Sequence, residues 1–92
     1  MIEIIISDKA KKDLKKIPGE IELKLYTWVD DAKENGMAYV RTINGYNDKP
    51  LFGKRKGQRS IRLNYAYRAF YIETSEGEIE IVTIIEVNKH DY

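Results

Sequence analysis

The sequence predicts an α+β fold of two layers, an N-terminal strand and a helical hairpin packed on an antiparallel β-meander. Three observations carry this. Apolar residues recur at helical spacing through the first third of the chain. From Pro50 onward the apolar pattern has period two, and Lys56-Gly57 and Glu76-Gly77 punctuate that half at hairpin intervals.

Each element has a local reason. Ile2 to Ile6 joins four isoleucines and one charge, a strand signal. Ser7 or Asp8 can cap the helix that follows by accepting from its free N–H groups. Ala10, Leu14 and Ile17 stand at i, i+4 and i+7 on one face, while Lys11, Lys12, Lys15 and Lys16 point outward. Pro18-Gly19 stops that helix. A second helix is expected from Glu20 to Asn35, with Ile21, Leu25, Trp28, Val29 and Ala32 as its buried stripe and Asn35-Gly36 as its end. Met37 to Ile43 can form a short third helix, and Asn44-Gly45 and Asn47-Asp48 are turn chemistry. Strands are expected at Leu51–Lys54, Gln58–Asn64, Tyr67–Thr74 and Ile79–Asn88. The last is apolar on both faces, as a central strand should be.

Ninety-two residues fit one domain spanning 1–92. The chain has no cysteine and one histidine, which argues against disulfides, Cys-based zinc sites and His-rich metal sites. No apolar run approaches the length of a membrane span. The apolar start is short and carries Glu3 instead of a basic n-region, so a cytoplasmic protein is expected. Gly53 to Gly57 lacks the ending of a phosphate-binding P-loop, and neither a dinucleotide fingerprint nor a nucleophile elbow occurs.

Charge is segregated. Residues 49–68 hold Lys49, Lys54, Arg55, Lys56, Arg59, Arg62 and Arg68 and no acid, whereas 73–86 hold five glutamates and no base. The whole chain is nearly neutral, at a formal +1. One positive face on a neutral protein suits a polyanion, RNA or DNA phosphate first, because such contacts release counterions and steer encounter. A hairpin with a merely solvated charged face would give the same composition. Strand alternation puts Ser60, Arg62 and Asn64 opposite the apolar Ile61 and Leu63, so Arg62 projects from the open face of the sheet. Arg59 shares the parity of Ile61 and belongs near an edge. Arg68 begins its strand, where its fork can reach the rim and donate two hydrogen bonds to a phosphate. Both Arg62 and Arg68 could instead pair with Glu86 or Glu80 across strands. Lys54-Arg55-Lys56 reads as a loop of charge without direction. Tyr46, Tyr65, Tyr67 and Tyr71 could stack on unpaired bases or pack in the core. His90, next to the end of the last strand, titrates near neutrality and can move a proton, although a lone histidine near a terminus usually has no role.

The stretch Pro50-Leu51-Phe52-Gly53-Lys54-Arg55-Lys56-Gly57-Gln58-Arg59-Ser60-Ile61-Arg62-Leu63, then Tyr67-Arg68-Ala69-Phe70-Tyr71, then Ile85 to Tyr92, resembles toxins of type II toxin–antitoxin systems in the RelE/ParE superfamily. Within it the chain is most similar to the RelE and HigB-type messenger-RNA endonucleases. The resemblance implies a ribosome-dependent endoribonuclease that cuts messenger RNA in the A site, without metal or other cofactor. The 2′-hydroxyl attacks the adjacent phosphate and the 5′-oxygen leaves. It also implies catalytic roles for Arg62, Arg68, His90 and Tyr92, with Lys54, Arg55, Lys56 and Arg59 binding RNA or ribosome. The second proton-transfer group stays open among Glu86, Asp91, Lys54 and the Tyr92 hydroxyl. The implied partners are a cognate antitoxin, the ribosome and messenger RNA, with no membrane, and DNA met only through the antitoxin. A ParE-like gyrase inhibitor and a non-catalytic RNA-binding module are the alternatives.

Overall fold

One residue, Ser7, joins the first strand to the first helix and serves both. Its hydroxyl accepts from the Ala10 N–H at 3.1 Å, capping the helix, and donates to the Ile85 carbonyl at 3.2 Å. Its own N–H donates to the Ile84 carbonyl at 2.9 Å. The computed structural model describes residues 2–89. In order they form β1 (Ile2–Ile6), α1 (Asp8–Leu14), α2 (Gly19–Asn35), α3 (Met37–Val40), β2 (Lys49–Pro50), β3 (Arg59–Arg62), β4 (Tyr67–Glu76) and β5 (Ile79–Lys89). His90, Asp91 and Tyr92 lie outside the described residues.

The strands make one five-stranded sheet in the order β1-β5-β4-β3-β2. β1 runs parallel to β5 and every other pairing is antiparallel, so the sheet is mixed. β5 therefore has a hydrogen-bonded neighbour on each side. The helices cover one face. Ala10, Leu14, Ile21, Leu25, Trp28, Val29 and Ala32 meet Ile61, Ala69, Tyr71, Val82, Ile84 and Val87 in a single core. Trp28 and Tyr71 sit at its centre, ring centroids 5.3 Å apart at 45°. No described helix is long and apolar enough to cross a membrane.

Three details differ from the sequence expectation. α1 ends at Leu14, not Ile17; its last turn tightens through bonds from Lys15 N–H to Lys12 O and Lys16 N–H to Asp13 O, and Ile17 still packs on the core. The strand expected at Leu51–Lys54 is not one. β2 is the two residues before it, with Pro50 on the sheet edge where a missing N–H is harmless, and Gly53–Arg55 form a 3₁₀ turn. Gly53 and Gly57 adopt φ of +65° and +93°, which closes the loop that returns to β3. The strand expected from Gln58 to Asn64 is likewise shorter, because the Asn64 side chain accepts from the Ala66 and Tyr67 N–H groups, each at 2.8 Å, and starts the turn into β4.

The far end of β5 is shaped by a bulge. Phe70 faces Glu86 but Tyr71 faces Ile84, so Ile85 is the extra residue. β1 has ended by then, and α1 takes over its role. The Asp13 carboxylate accepts from the Val87 N–H at 3.0 Å. Burial pushes the Asp13 carboxyl up, but the Lys9 ammonium and the Val87 N–H outweigh it and hold the group below its ordinary value.

Candidate functional site

On the open face, alternation and register bring seven side chains into one neighbourhood. Lys49 faces Ser60, Ser60 faces Phe70, and Arg62 faces Arg68. Phe70 faces Glu86 and Arg68 faces Asn88. Leu63 and Tyr67 close the hairpin through a 2.9 Å bond. Arg62 and Arg68, one pair inward, therefore occupy a non-hydrogen-bonded position, with Cα atoms about 4.5 Å apart and side chains close. Two like charges directly opposite each other destabilise a sheet. Among the described residues neither arginine has an ion pair or a side-chain hydrogen bond to offset this.

Of the two carboxylates that could pair with them, Glu80 lies toward the other end of β5, opposite Ser75, and Glu86 is engaged elsewhere. Glu86 accepts from Arg55 Nη2 at 3.0 Å and also from the Asn88 amide. Arg55 in turn donates to Gln58 at 2.9 Å and lies 4.1 Å from the centroid of Phe70. The Lys54-Arg55-Lys56 loop thus has a direction after all. Arg55 latches it over the sheet, while Lys54 and Lys56 stay exposed on either side.

On the same face is a cleft of about 240 Å³ lined by Lys49, Leu51, Ser60, Arg68 and Phe70. Lys49 is exposed at its rim and Arg68 half-buried. Ser60 is fully buried, and its Oγ has no hydrogen-bond partner among the described residues.

Arg59 is not part of this face. It points to the helix side, where its Nε donates to Asp48 Oδ1 at 2.7 Å. The Tyr71 hydroxyl donates to the other oxygen of the same carboxylate, whose side chain is wholly buried. Burial and the adjacent Asp48 charge push the Tyr71 hydroxyl up to about 12. Burial works against the Arg59 charge, but the Asp48 bond outweighs it and raises the guanidinium further. This cluster ties the segment after α3 to the centre of the sheet, and Lys49 is the next residue along the chain. Asp48, Lys49 and Ser60 escape sequence reasoning as site residues. Lys49 stood in the basic run, but its position depends on a two-residue strand that no periodicity reveals.

The tyrosines divide. Tyr46 and Tyr71 are core residues and Tyr67 packs against the core, whereas Tyr65 is 82% exposed at the tip of the β3–β4 turn. His90 and Tyr92 lie outside the described residues, as does Asp91; β5 ends at Lys89, opposite Tyr67. Among the described residues no group of three or more His, Cys, Asp or Glu could hold a metal ion.

Residues 4–91 match the family described as ParE toxin of type II toxin-antitoxin system, parDE. No curated protein matches the chain in sequence. Several solved structures share its fold. The YoeB/ParE toxin from Agrobacterium tumefaciens superposes with a TM-score of 0.73 at 16% identity, covering 97% of this chain and 99% of that one. YafQ from E. coli strain BL21(DE3) gives 0.76 at 18% identity, covering 98% and 94%. A chain of the heterotetrameric YoeB-YefM toxin-antitoxin complex from Staphylococcus aureus gives 0.67 at 19% identity, covering 100% and 99%.

Proposed function

Because the chain belongs to the ParE toxin family of type II toxin–antitoxin systems, we propose that it is the toxin of such a pair and acts by cutting messenger RNA in the ribosomal A site. The observation that carries this reading is the cross-strand pair Arg62 and Arg68 beside Lys49, left without a carboxylate among the described residues. A sheet accepts that repulsion more readily if an anion completes it, and a phosphate between two guanidinium forks is such an anion.

The chemistry follows from the charge that must be stabilised. The messenger's own 2′-hydroxyl attacks the adjacent phosphorus while a base takes its proton. Negative charge builds on the non-bridging oxygens of the five-coordinate phosphorane, where Arg68 and Arg62 donate hydrogen bonds. The bond to the 5′-oxygen breaks, an acid protonates that oxygen, and a 2′,3′-cyclic phosphate and a 5′-hydroxyl result. His90 and Tyr92 are proposed for proton transfer, since they follow the strand that runs beside Arg68. Glu86 is a poor base here, because Arg55 and Asn88 already occupy it. Lys54 and Lys56 supply long-range attraction to ribosomal RNA. The partner is a cognate antitoxin that covers or neutralises the basic face.

Purified protein added to programmed ribosomes is the test. Cleavage at the A-site codon in the wild type, lost in Arg68→Ala, supports the reading; an intact message at high protein concentration refutes it. A second reading, inhibition of DNA gyrase, is favoured by the family match to ParE toxins. It calls for loss of gyrase supercoiling activity with messages left intact.

A further inference from the structure

Two buried polar atoms lack a hydrogen-bond partner among the described residues, Trp28 Nε1 and Ser60 Oγ. Trp28 is enclosed in the helix-side core. Ser60 lines the open-face cleft. Its position is unusual. Strand parity points it away from the helices, yet it is fully buried, between Phe70 on β4 and Lys49 on β2. An orphaned hydroxyl destabilises a fold, and replacing it by a methyl group would remove that cost. A polar group kept there at a cost, in the lining of a cleft, fits a group that meets its partner in a ligand.

The rest of the lining indicates which ligand. Leu51 and Phe70 give the cleft apolar walls, and Phe70 is fixed in place because Arg55 lies against its ring. The cations, Lys49 and Arg68, stand at the cleft with Arg62 beyond them across the strand pair. A free phosphate would use the cations and gain nothing from the walls. A flat heterocycle attached to a phosphate uses all of them. At about 240 Å³ the cleft is smaller than the roughly 300–1,000 Å³ of pockets for drug-sized molecules, so it has room for one ring system.

We propose that this cleft is a nucleobase subsite, in which a base flanking the phosphate held by Arg62 and Arg68 lies between Leu51 and Phe70 and is read by a hydrogen bond with Ser60 Oγ. The inference rests on the messenger-cutting reading for its substrate and adds a residue that sets base preference. A hydroxyl both donates and accepts, so the identity of the favoured base is left to measurement, but one base is favoured. A single hydrogen bond of this kind is worth a preference of up to about tenfold.

The experiment has two arms. Programmed ribosomes carrying messages randomised at the A-site codon are treated with wild-type protein and with Ser60→Ala, and cut sites are sequenced. The expected result is a base preference at one position of about tenfold that falls below about threefold in the variant. The same preference in both proteins overturns the proposal, and so does a wild type with no base preference. In the second arm the four ribonucleoside 5′-monophosphates and inorganic phosphate are titrated into the isotope-labelled protein. Nucleotides should shift the amides of Lys49, Ser60 and Phe70 in a base-dependent way that Ser60→Ala equalises. Shifts that inorganic phosphate reproduces in full would overturn it. A wild type that leaves every message intact ends the messenger-cutting reading, and the titration then decides the subsite alone.

Discussion

Asp48 is the most consequential residue outside the cleft, and its replacement by alanine can be costed from the structure. Its wholly buried carboxylate accepts from Arg59 Nε on one oxygen and from the Tyr71 hydroxyl on the other. In Asp48→Ala the fully buried Tyr71 hydroxyl loses its acceptor, a cost of about 1–3 kcal/mol. Arg59 loses its counter-charge as well. Stranding one member of a buried pair costs about 3–5 kcal/mol. The Arg59 side chain is 28% exposed, however, so part of that charge is recovered by water. A net loss of about 3 kcal/mol is expected, against a total of about 5–14 kcal/mol for a chain of this length. Urea unfolding should show a lower midpoint with an unchanged m-value. Asp48→Asn keeps one acceptor and should lose roughly half as much. Combining Asp48→Ala with Tyr71→Phe should restore about 1 kcal/mol, because the orphaned hydroxyl goes with it. An Asp48→Ala variant within about 0.5 kcal/mol of wild type would refute the claim that this carboxylate anchors the edge of the sheet.

Tyr71 titrates near 12 in the fold, raised above its ordinary value of 10. Folded protein thus binds the proton more tightly than unfolded chain, so this stabilisation is complete below pH 10 and disappears as pH rises toward 12. Alkaline unfolding followed by circular dichroism should show it, and Tyr71→Phe should lack that component. The Asp13 carboxyl has the opposite sign. It is held below its ordinary value, so its contribution is full above about pH 4 and fades on acidification. Asp13→Ala, which leaves the Val87 N–H unpaired, should cost about 1–2 kcal/mol at neutral pH, measurable by thermal melts. Arg62→Ala and Arg68→Ala should fold as well as wild type or better by up to about 1 kcal/mol, since each relieves a like-charge pair; Arg68→Ala should nevertheless abolish cleavage on ribosomes. Ser60→Ala should gain about 1 kcal/mol in the same melts. Removal of residues 90–92 should leave a folded protein that still binds antitoxin and cleaves on the order of 10²–10⁴-fold more slowly, scored by single-turnover cleavage.

Most of the architecture was legible because burial imposes a period. The stripe Ile21, Leu25, Trp28, Val29 and Ala32 and the alternation through Ile61 and Leu63 follow from one-sided packing, and all are buried. The same alternation sent Arg62 and Arg59 to opposite faces. What the sequence hid was set by contacts without a period. The 3₁₀ turn at Gly53–Arg55 reflects two glycines at positive φ and a latch to Glu86, thirty-one residues from Arg55. The partner choices of Glu86 and Asp48 likewise depend on register between distant strands. Ser60 looked like any polar residue on an outward face. It is nevertheless fully buried, between Lys49 on β2 and Phe70 on β4.

Those hidden contacts bear on why the basic cluster reads as a site instead of a solvated face. Four basic residues around the sheet have acidic partners: Arg41 with Glu73, Arg55 with Glu86, Arg59 with Asp48, and Lys9 with Asp13. Of these carboxylates only Glu86 stands on the open face, where it could otherwise quench the basic cluster. Glu86 is the decisive case. It stands opposite Phe70, two residues along β5 from the Asn88 that faces Arg68. A small shift of its side chain would put it against that arginine, but Arg55 and the Asn88 amide hold it away. The position facing Arg68 on β5 is a neutral asparagine and the position facing it on β3 is a second arginine. Replacing Arg55 by methionine would therefore be informative. Methionine keeps a flexible, polarisable side chain against Phe70 but frees the Glu86 carboxylate. If Glu86 then swings to Arg68, affinity for RNA and cleavage should fall together while the fold survives. Glu86→Gln in the same background should restore them. Loss of activity that Glu86→Gln does not restore would show that Arg55 acts on RNA directly and not by keeping the phosphate clamp uncompensated.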